Sequence, residues 1–177
     1  MDHYAVAVIG GGAAGPSAAL VLCRARRTVL VVDAGQPRNA PAAHLHGYPS
    51  RDGVPPAELQ TAGRREVIGY GGQLVGGTVT DLAVDGDGFN ALLEGGQPIS
   101  ARRLLVTTGL RDELPNIPGL RDRWARDVLH CHHCHGYEVS GRRLGAIGGV
   151  RYAQILRQWT NDLTYFTPPD IFTAAER

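Results

Sequence analysis

Two cysteines separated by two residues, Cys131 and Cys134, lie in the segment Val128-Leu129-His130-Cys131-His132-His133-Cys134-His135-Gly136-Tyr137-Glu138. Thiols at that spacing can close a small disulfide, and a helical first turn at the pair favours the thiolate by offering amides to its charge. His130, His132, His133 and His135 crowd the pair. A neutral imidazole can take a thiol's proton and an imidazolium can stabilise a thiolate. His135, directly after the second cysteine, has the position of an acid-base partner. Metal is the competing chemistry, because two thiolates and two imidazoles make a zinc ligand set. The chain has no second cysteine pair, and immediate neighbours rarely all reach one ion at tetrahedral angles. Redox chemistry is therefore favoured, no metal ligand is assigned, and an inert solvent-facing pair is the third possibility.

The second chemical segment is glycine-rich. Tyr4 to Ile9 read as an apolar central strand of a parallel sheet. Gly10, Gly12 and Gly15 follow at Gly-X-Gly-X-X-Gly spacing, with Ala14 inside the loop, and Pro16 to Arg26 read as a helix. The first glycine permits a tight turn, the second lets the backbone approach a pyrophosphate, and the third lets helix and strand pack closely. Thr28 to Val32 make the next strand, and Asp33 at its end can accept hydrogen bonds from ribose hydroxyls. Strand, glycine turn, helix, strand and acid in this order predict dinucleotide binding, whether of FAD or NAD. A glycine cradle joined to a thiol pair is what electron traffic between a dinucleotide and a disulfide requires.

These two segments must be positioned by the rest of the chain. Gly35 to Pro56 holds five prolines, at 37, 41, 49, 55 and 56, and so reads as a long structured loop of the kind that often carries a site. Ala57 to Tyr70 predict an amphipathic helix stopped by Gly71 and Gly72. Leu74 to Val84 and Phe89 to Leu93 read as strands joined by an Asp-Gly hairpin turn. Arg102 to Thr107 predict a further strand, and Pro115 and Pro118 bound a connector. The expected division is a dinucleotide-binding region over residues 1–114 and the start of an inserted domain over 119–177. In the latter, Arg142 to Ile147 and Leu163 to Phe166 read as strands around a helix from Tyr152 to Trp159. The fold class expected is α/β and Rossmann-like.

Of 177 residues, 18 are basic and the net charge is +1. All the basic residues are arginines, scattered in pairs rather than gathered beside aromatics, which argues against a nucleic-acid partner. No run reaches membrane-spanning length, so no membrane association is expected. Three cysteines with an odd member, Cys23, and no leader-like start suggest a reducing, cytoplasmic setting rather than an extracellular disulfide framework.

Taken in order, Gly10 to Gly15, Gly71-Gly72-Gln73, Thr107-Thr108-Gly109, Ile117-Pro118-Gly119 and Cys131-His132-His133-Cys134 resemble the low-molecular-weight thioredoxin reductase family. The resemblance implies that Gly10, Gly12, Ala14, Gly15 and Asp33 bind FAD. It places Thr108 and Gly109 close to FAD at the crossing between domains, and Tyr48, before Pro49, on a flavin-facing loop. It further implies that Cys134 faces the flavin and Cys131 exchanges with substrate. Partners would be a small-molecule dithiol or disulfide, or a thioredoxin-like protein, in a homodimer.

Two departures refine that expectation. His135-Gly136-Tyr137-Glu138 after the second cysteine looks like the branch containing dithiol oxidases of disulfide natural products, in place of the usual Asp. After the later strand, Gly148 and Ala153 stand where a nicotinamide loop has its ends, but Val150 occupies the middle glycine, and a Cβ there would push a pyrophosphate away. NADPH use is accordingly doubtful, and a flavin-dependent dithiol oxidase is expected ahead of an NADPH-dependent reductase or a non-catalytic flavin-binding scaffold. The family's closing flavin-domain segments have no counterpart before Arg177. The expectation is a longer polypeptide or a partner subunit that supplies that surface.

Overall fold

The computed structural model describes residues 3–166. The tail from 167 to 177, and with it the end of the region expected over 119–177, lies outside the described residues. Among those described, the strands form three sheets. The first is parallel and is built from β2 (Val6–Ile9), β3 (Val29–Asp33), β4 (Gln73–Gly76) and β8 (Leu104–Val106), in the order β4-β3-β2-β8. Residue alternation assigns its two faces. Val8, Val29 and Val31 pack with Ala19 and Cys23 of α1 (Ala14–Arg24) and Val67 of α2 (Pro56–Gly69). Ala7, Ile9, Leu30 and Val32 pack the opposite way, against Ala91, Leu93, Ile99 and Ala101.

Those last residues belong to a second sheet of β1 (His3–Tyr4), β5 (Val79–Asp85), β6 (Gly88–Leu93) and β7 (Pro98–Ala101). Helices, parallel sheet and β-meander are thus three layers around two apolar seams. Full burial of Val8, Val29, Val31, Val32 and Val67 contributes about 1.5–3 kcal/mol each before conformational entropy is counted. Cys23 is 5 % exposed, beneath Gly72, where an added Cβ would stand 2.8 Å from its sulfur.

Several boundaries differ from the sequence expectation, each for a local reason. The run Tyr4–Ile9 divides between two sheets because the Ala5 amide donates to Thr28 Oγ1 at 2.9 Å instead of to a neighbouring strand. Leu74 to Val84 is not one strand: Gly77, at φ +157°, lets the chain leave the parallel sheet after β4 and enter the meander as β5. Only Leu104–Val106 of the run Arg102 to Thr107 is strand, and β7 went unread because Pro98 begins it. The hairpin joining β5 and β6 forms at Asp85–Gly88 with Gly86 at φ +56°.

A third sheet pairs β9 (Leu144–Ile147) in parallel with β10 (Leu163–Phe166), around α5 (Val150–Leu156). The helix starts two residues earlier than its apolar spacing suggested, directly after Gly148-Gly149, and the strand before it begins at Leu144 rather than Arg142. Val6 and Ile147 lie in different sheets. Between the meander and this unit run α3 (Leu120–Arg123) and α4 (His132–His135).

Candidate functional site

At Gly10 and Gly15 the loop from β2 to α1 is closed by contacts that leave no room for side chains. A Cβ on Gly10, itself at φ +116°, would lie 2.3 Å from the Thr107 carbonyl oxygen, and one on Gly15 would lie 2.0 Å from the Gly10 carbonyl oxygen. Thr107 fastens the turn by donating its hydroxyl to the carbonyls of Ile9 and Gly10, at 3.1 and 2.8 Å. The motif around Thr108-Gly109 drew attention in the sequence; the adjacent Thr107 makes these bonds. Thr108 still meets the loop, since its amide nitrogen would be 3.0 Å from a Gly10 Cβ, and Gly109 turns away at φ +72°.

Gly12 differs from its neighbours. A Cβ there would meet no atom within 4 Å, so the loop backbone faces open space at that point. Ala13 at the helix N-cap offers no side-chain oxygen to the first-turn amides, and Ala14, the first residue of α1, is exposed. Free amides at a helix start beside an open glycine suit a pyrophosphate, and the cradle therefore fits a dinucleotide. A groove of about 350 Å³ continues from Gly12 and Ala13 along Pro16 and Ser17 to Tyr48 and Arg51. Tyr48 of the proline-rich loop is half-exposed at its wall, so the structure brings the tyrosine and the glycine loop to one groove.

Asp33 stands at the end of β3 as expected, but its carboxylate is engaged. Arg64 of α2 forms an ion pair with it, and the Gly35 amide donates to Oδ1 at 3.0 Å. A Cβ on Gly11 would collide with this carboxylate, 2.3 Å from its Cγ and 2.5 Å from Oδ2. Arg64 was unremarkable in sequence, as one of many scattered arginines.

Cys131 and Cys134 are joined as a disulfide. Cys131 caps α4, its sulfur accepting the Cys134 amide at 3.2 Å. The two residues between them face aromatic rings: His132 lies 5.5 Å and His133 5.7 Å from Trp159, centroid to centroid, and His132 lies 6.2 Å from Tyr152. Gly136 is required by the same packing, because a Cβ there would stand 2.7 Å from the Trp159 ring. His135 is half-buried. Burial pushes its imidazole below the ordinary histidine value, opposed by Glu138 and assisted by His46 and His130. At neutral pH it is thus a proton acceptor rather than a cation.

The proline-rich loop touches this segment on both sides. His46 lies 3.5 Å from Glu138 through Nε2 and 3.5 Å from Asp52 through Nδ1. Arg38 reaches His130 Nε2 at 3.0 Å while holding Asp112 through two bonds of 2.9 and 2.5 Å. The guanidinium keeps the Asp112 carboxyl below the usual carboxylate range. These residues were missed because a loop's long-range partners leave no periodic signal.

The second glycine turn, from β9 to α5, is built differently. Gly148 adopts φ +118° and Gly149 is open, but the helix begins with Val150, 46 % exposed, where the first loop has a bare backbone. Tyr165 donates to the Gly148 carbonyl. Val150 thus sets a side chain where the first loop leaves its backbone bare.

Residues 4–168 match the family model described as pyridine nucleotide-disulphide oxidoreductase. The protein named thioredoxin reductase aclD from Aspergillus oryzae is 37 % identical over 140 residues, covering 76 % of this chain and 44 % of that protein. The crystal structure of HlmI superposes with a TM-score of 0.93 at 51 % identity, over 97 % of this chain and 57 % of the other. An oxidoreductase from Agrobacterium tumefaciens gives 0.93 at 40 % identity, over 98 % and 60 %. The chain spans about half the length of the curated relatives it matches. FAD is the cofactor that family and cradle together support. With its glycine cradle, its closed Cys-X-X-Cys disulfide and these likenesses, the chain belongs to the pyridine nucleotide-disulphide oxidoreductase family, among the thioredoxin-reductase-like members.

Proposed function

We propose that this protein is a FAD-dependent thiol-disulfide oxidoreductase that closes a disulfide in a small dithiol. The observation that carries the reading is the Cys131–Cys134 disulfide with a desolvated His135 directly behind it. Gly10, Gly12, Ala14 and Gly15 would hold the FAD pyrophosphate, Asp33 the ribose through its Arg64-bound carboxylate, and Thr108, Gly109 and Tyr48 the approach to the flavin. The division into 1–114 and 119–177 belongs to the same reading, supported by the separation of the β9–β10 pair from the other sheets.

The chemistry balances on the protein's own sulfurs. A substrate thiolate attacks Cys131 Sγ, the Cys131–Cys134 bond breaks, and Cys134 leaves as a thiolate. The second substrate thiol loses its proton to His135 and attacks the first substrate sulfur, releasing Cys131. The substrate is oxidised to a disulfide and the cysteine pair is reduced by the same two electrons. FAD, when bound, supplies the acceptor for that pair, with oxygen as the terminal oxidant.

Val150 at the second glycine turn favours this direction over reduction by NADPH. The reading includes a cytoplasmic homodimer; among the described residues no helix is long and apolar enough to cross a membrane. Anaerobic mixing of the FAD-loaded chain tests it. A small dithiol such as dithiothreitol should bleach the flavin, peroxide should appear on re-aeration, and NADPH should leave the spectrum unchanged. Bleaching by NADPH would instead make the protein a reductase, and bleaching by neither would make it a flavin-binding scaffold.

A further inference from the structure

Arg64 and Asp33 are joined in a way that leaves part of each unused. Asp33 ends β3 with its side chain 15 % exposed and its carboxylate pressed against the glycine loop at Gly11. The Gly35 amide takes Oδ1 at 3.0 Å, and Arg64 reaches Oδ2 through one Nη nitrogen. An arginine that served only to neutralise a carboxylate would place both prongs of its fork on it. Here Arg64 Nε is buried with no hydrogen-bond partner. The other Nη nitrogen makes no hydrogen bond to any described residue, while the side chain as a whole is 41 % exposed. Helix packing, rather than its own bonds, sets Arg64 there. A Cβ on the preceding Gly63 would stand 3.2 Å from the Pro16 Cβ of α1, and Val67, three residues on, is fully buried.

Each Asp33 oxygen keeps a lone pair beyond the bond it accepts. A free acceptor and a free donor therefore stand side by side next to the loop. A phosphate would use the donor but be repelled by the carboxylate, and an ammonium would do the reverse. A hydroxyl uses both, because it donates one hydrogen bond and accepts another. We infer that Arg64 is itself a ligand of the adenosine ribose: a ribose hydroxyl that donates to Asp33 accepts in turn from Arg64, so that the ion pair recognises the sugar as a couple. The inference rests on the reading of Gly10 to Gly15 as the FAD cradle.

Calorimetric titration of the flavin-free full chain tests it, with adenosine diphosphate, which carries the same ribose and pyrophosphate, compared against its 2′,3′-dideoxy analogue. Wild type should favour adenosine diphosphate by about tenfold or more, the scale of hydrogen bonds to charged groups. Arg64→Met should bind the two ligands nearly equally, with its affinity for the dideoxy analogue close to that of wild type. In wild type, the Arg64 guanidinium nitrogen-15 resonances should shift with adenosine diphosphate and stay in place with the dideoxy analogue, a readout that holds even where Arg64→Met does not fold. Equal binding of both ligands by wild type, a full preference kept by Arg64→Met, equal weakening of both ligands, guanidinium resonances that do not distinguish them, or binding of FAD without binding of adenosine diphosphate overturns the assignment and leaves the cradle reading intact. A wild-type chain that binds neither FAD nor adenosine diphosphate overturns the cradle reading and the assignment together.

Discussion

The chain contains the strand, glycine turn and helix unit twice, from β2 to α1 and from β9 to α5, and the two are packed to very different standards. In the first, each flanking strand is covered on both faces and two glycines touch backbone oxygens. In the second, the strand has one described neighbour, Ile147 is 54 % exposed and Phe166 55 %, and a Cβ added at Gly148 or Gly149 would meet nothing within 4 Å. Glycines therefore do different work in the two places. In the first they are demanded by closeness; in the second they supply a turn. A turn alone does not make a phosphate cradle.

The comparison can be broken most directly by adding one carbon to each loop. Gly15→Ala forces a Cβ to within 2.0 Å of the Gly10 carbonyl and is expected to cost about 3 kcal/mol, the upper end for overpacking, together with the ability to retain flavin. Gly149→Ala meets nothing, at φ −71° and ψ 144°, and should change stability by less than about 0.5 kcal/mol. Urea midpoints of the two variants check this, and equal midpoints would end the contrast.

A milder version trims side chains instead. Val31→Ala removes two buried methyl groups from a fully buried position and should cost about 2 kcal/mol. Ile147→Val at the half-exposed end of β9 should cost about 0.5 kcal/mol by the same scale.

The smallest effect is expected at the seam, where His46 and His130 face His135. Burial lowers the His135 value in the folded chain, so the unfolded chain binds the proton more tightly. The stability it contributes is complete above the unfolded value, about 6.5, and falls as pH drops from there towards the folded value. His135→Gln should flatten that slope in unfolding measurements between pH 5 and 7.5. Identical slopes in both proteins would show that the burial of His135 has no thermodynamic weight.

The sequence made the first unit legible because its signals are local: apolar strand, spaced glycines, helix, acid. The cysteine segment was legible for the same reason: its two sulfurs are bonded, as their spacing allows, and the hairpin forms at Asp85–Gly88 as its turn residues indicate. What could not be read depends on contacts between distant residues. Arg64 meets Asp33 across 31 positions and Arg38 meets Asp112 across 74, and no composition or period announces either. Sheet exchange was hidden too. Tyr4 and Val6 are neighbours in an unbroken apolar run, yet a single threonine hydroxyl at position 28 sends them to different sheets.

Cys23 gives the molecule an internal reference. Its thiol is enclosed by Val67 and Gly72, and burial raises its proton affinity, so both access and ionisation suppress its reaction with alkylating reagents. The other two sulfurs are masked by each other. A thiol count thus reports state without any engineered label: a folded, oxidised chain offers essentially no reactive sulfur, unfolding alone uncovers one, and unfolding with reduction uncovers all three. Redox condition and folding condition are written in separate digits of the same number.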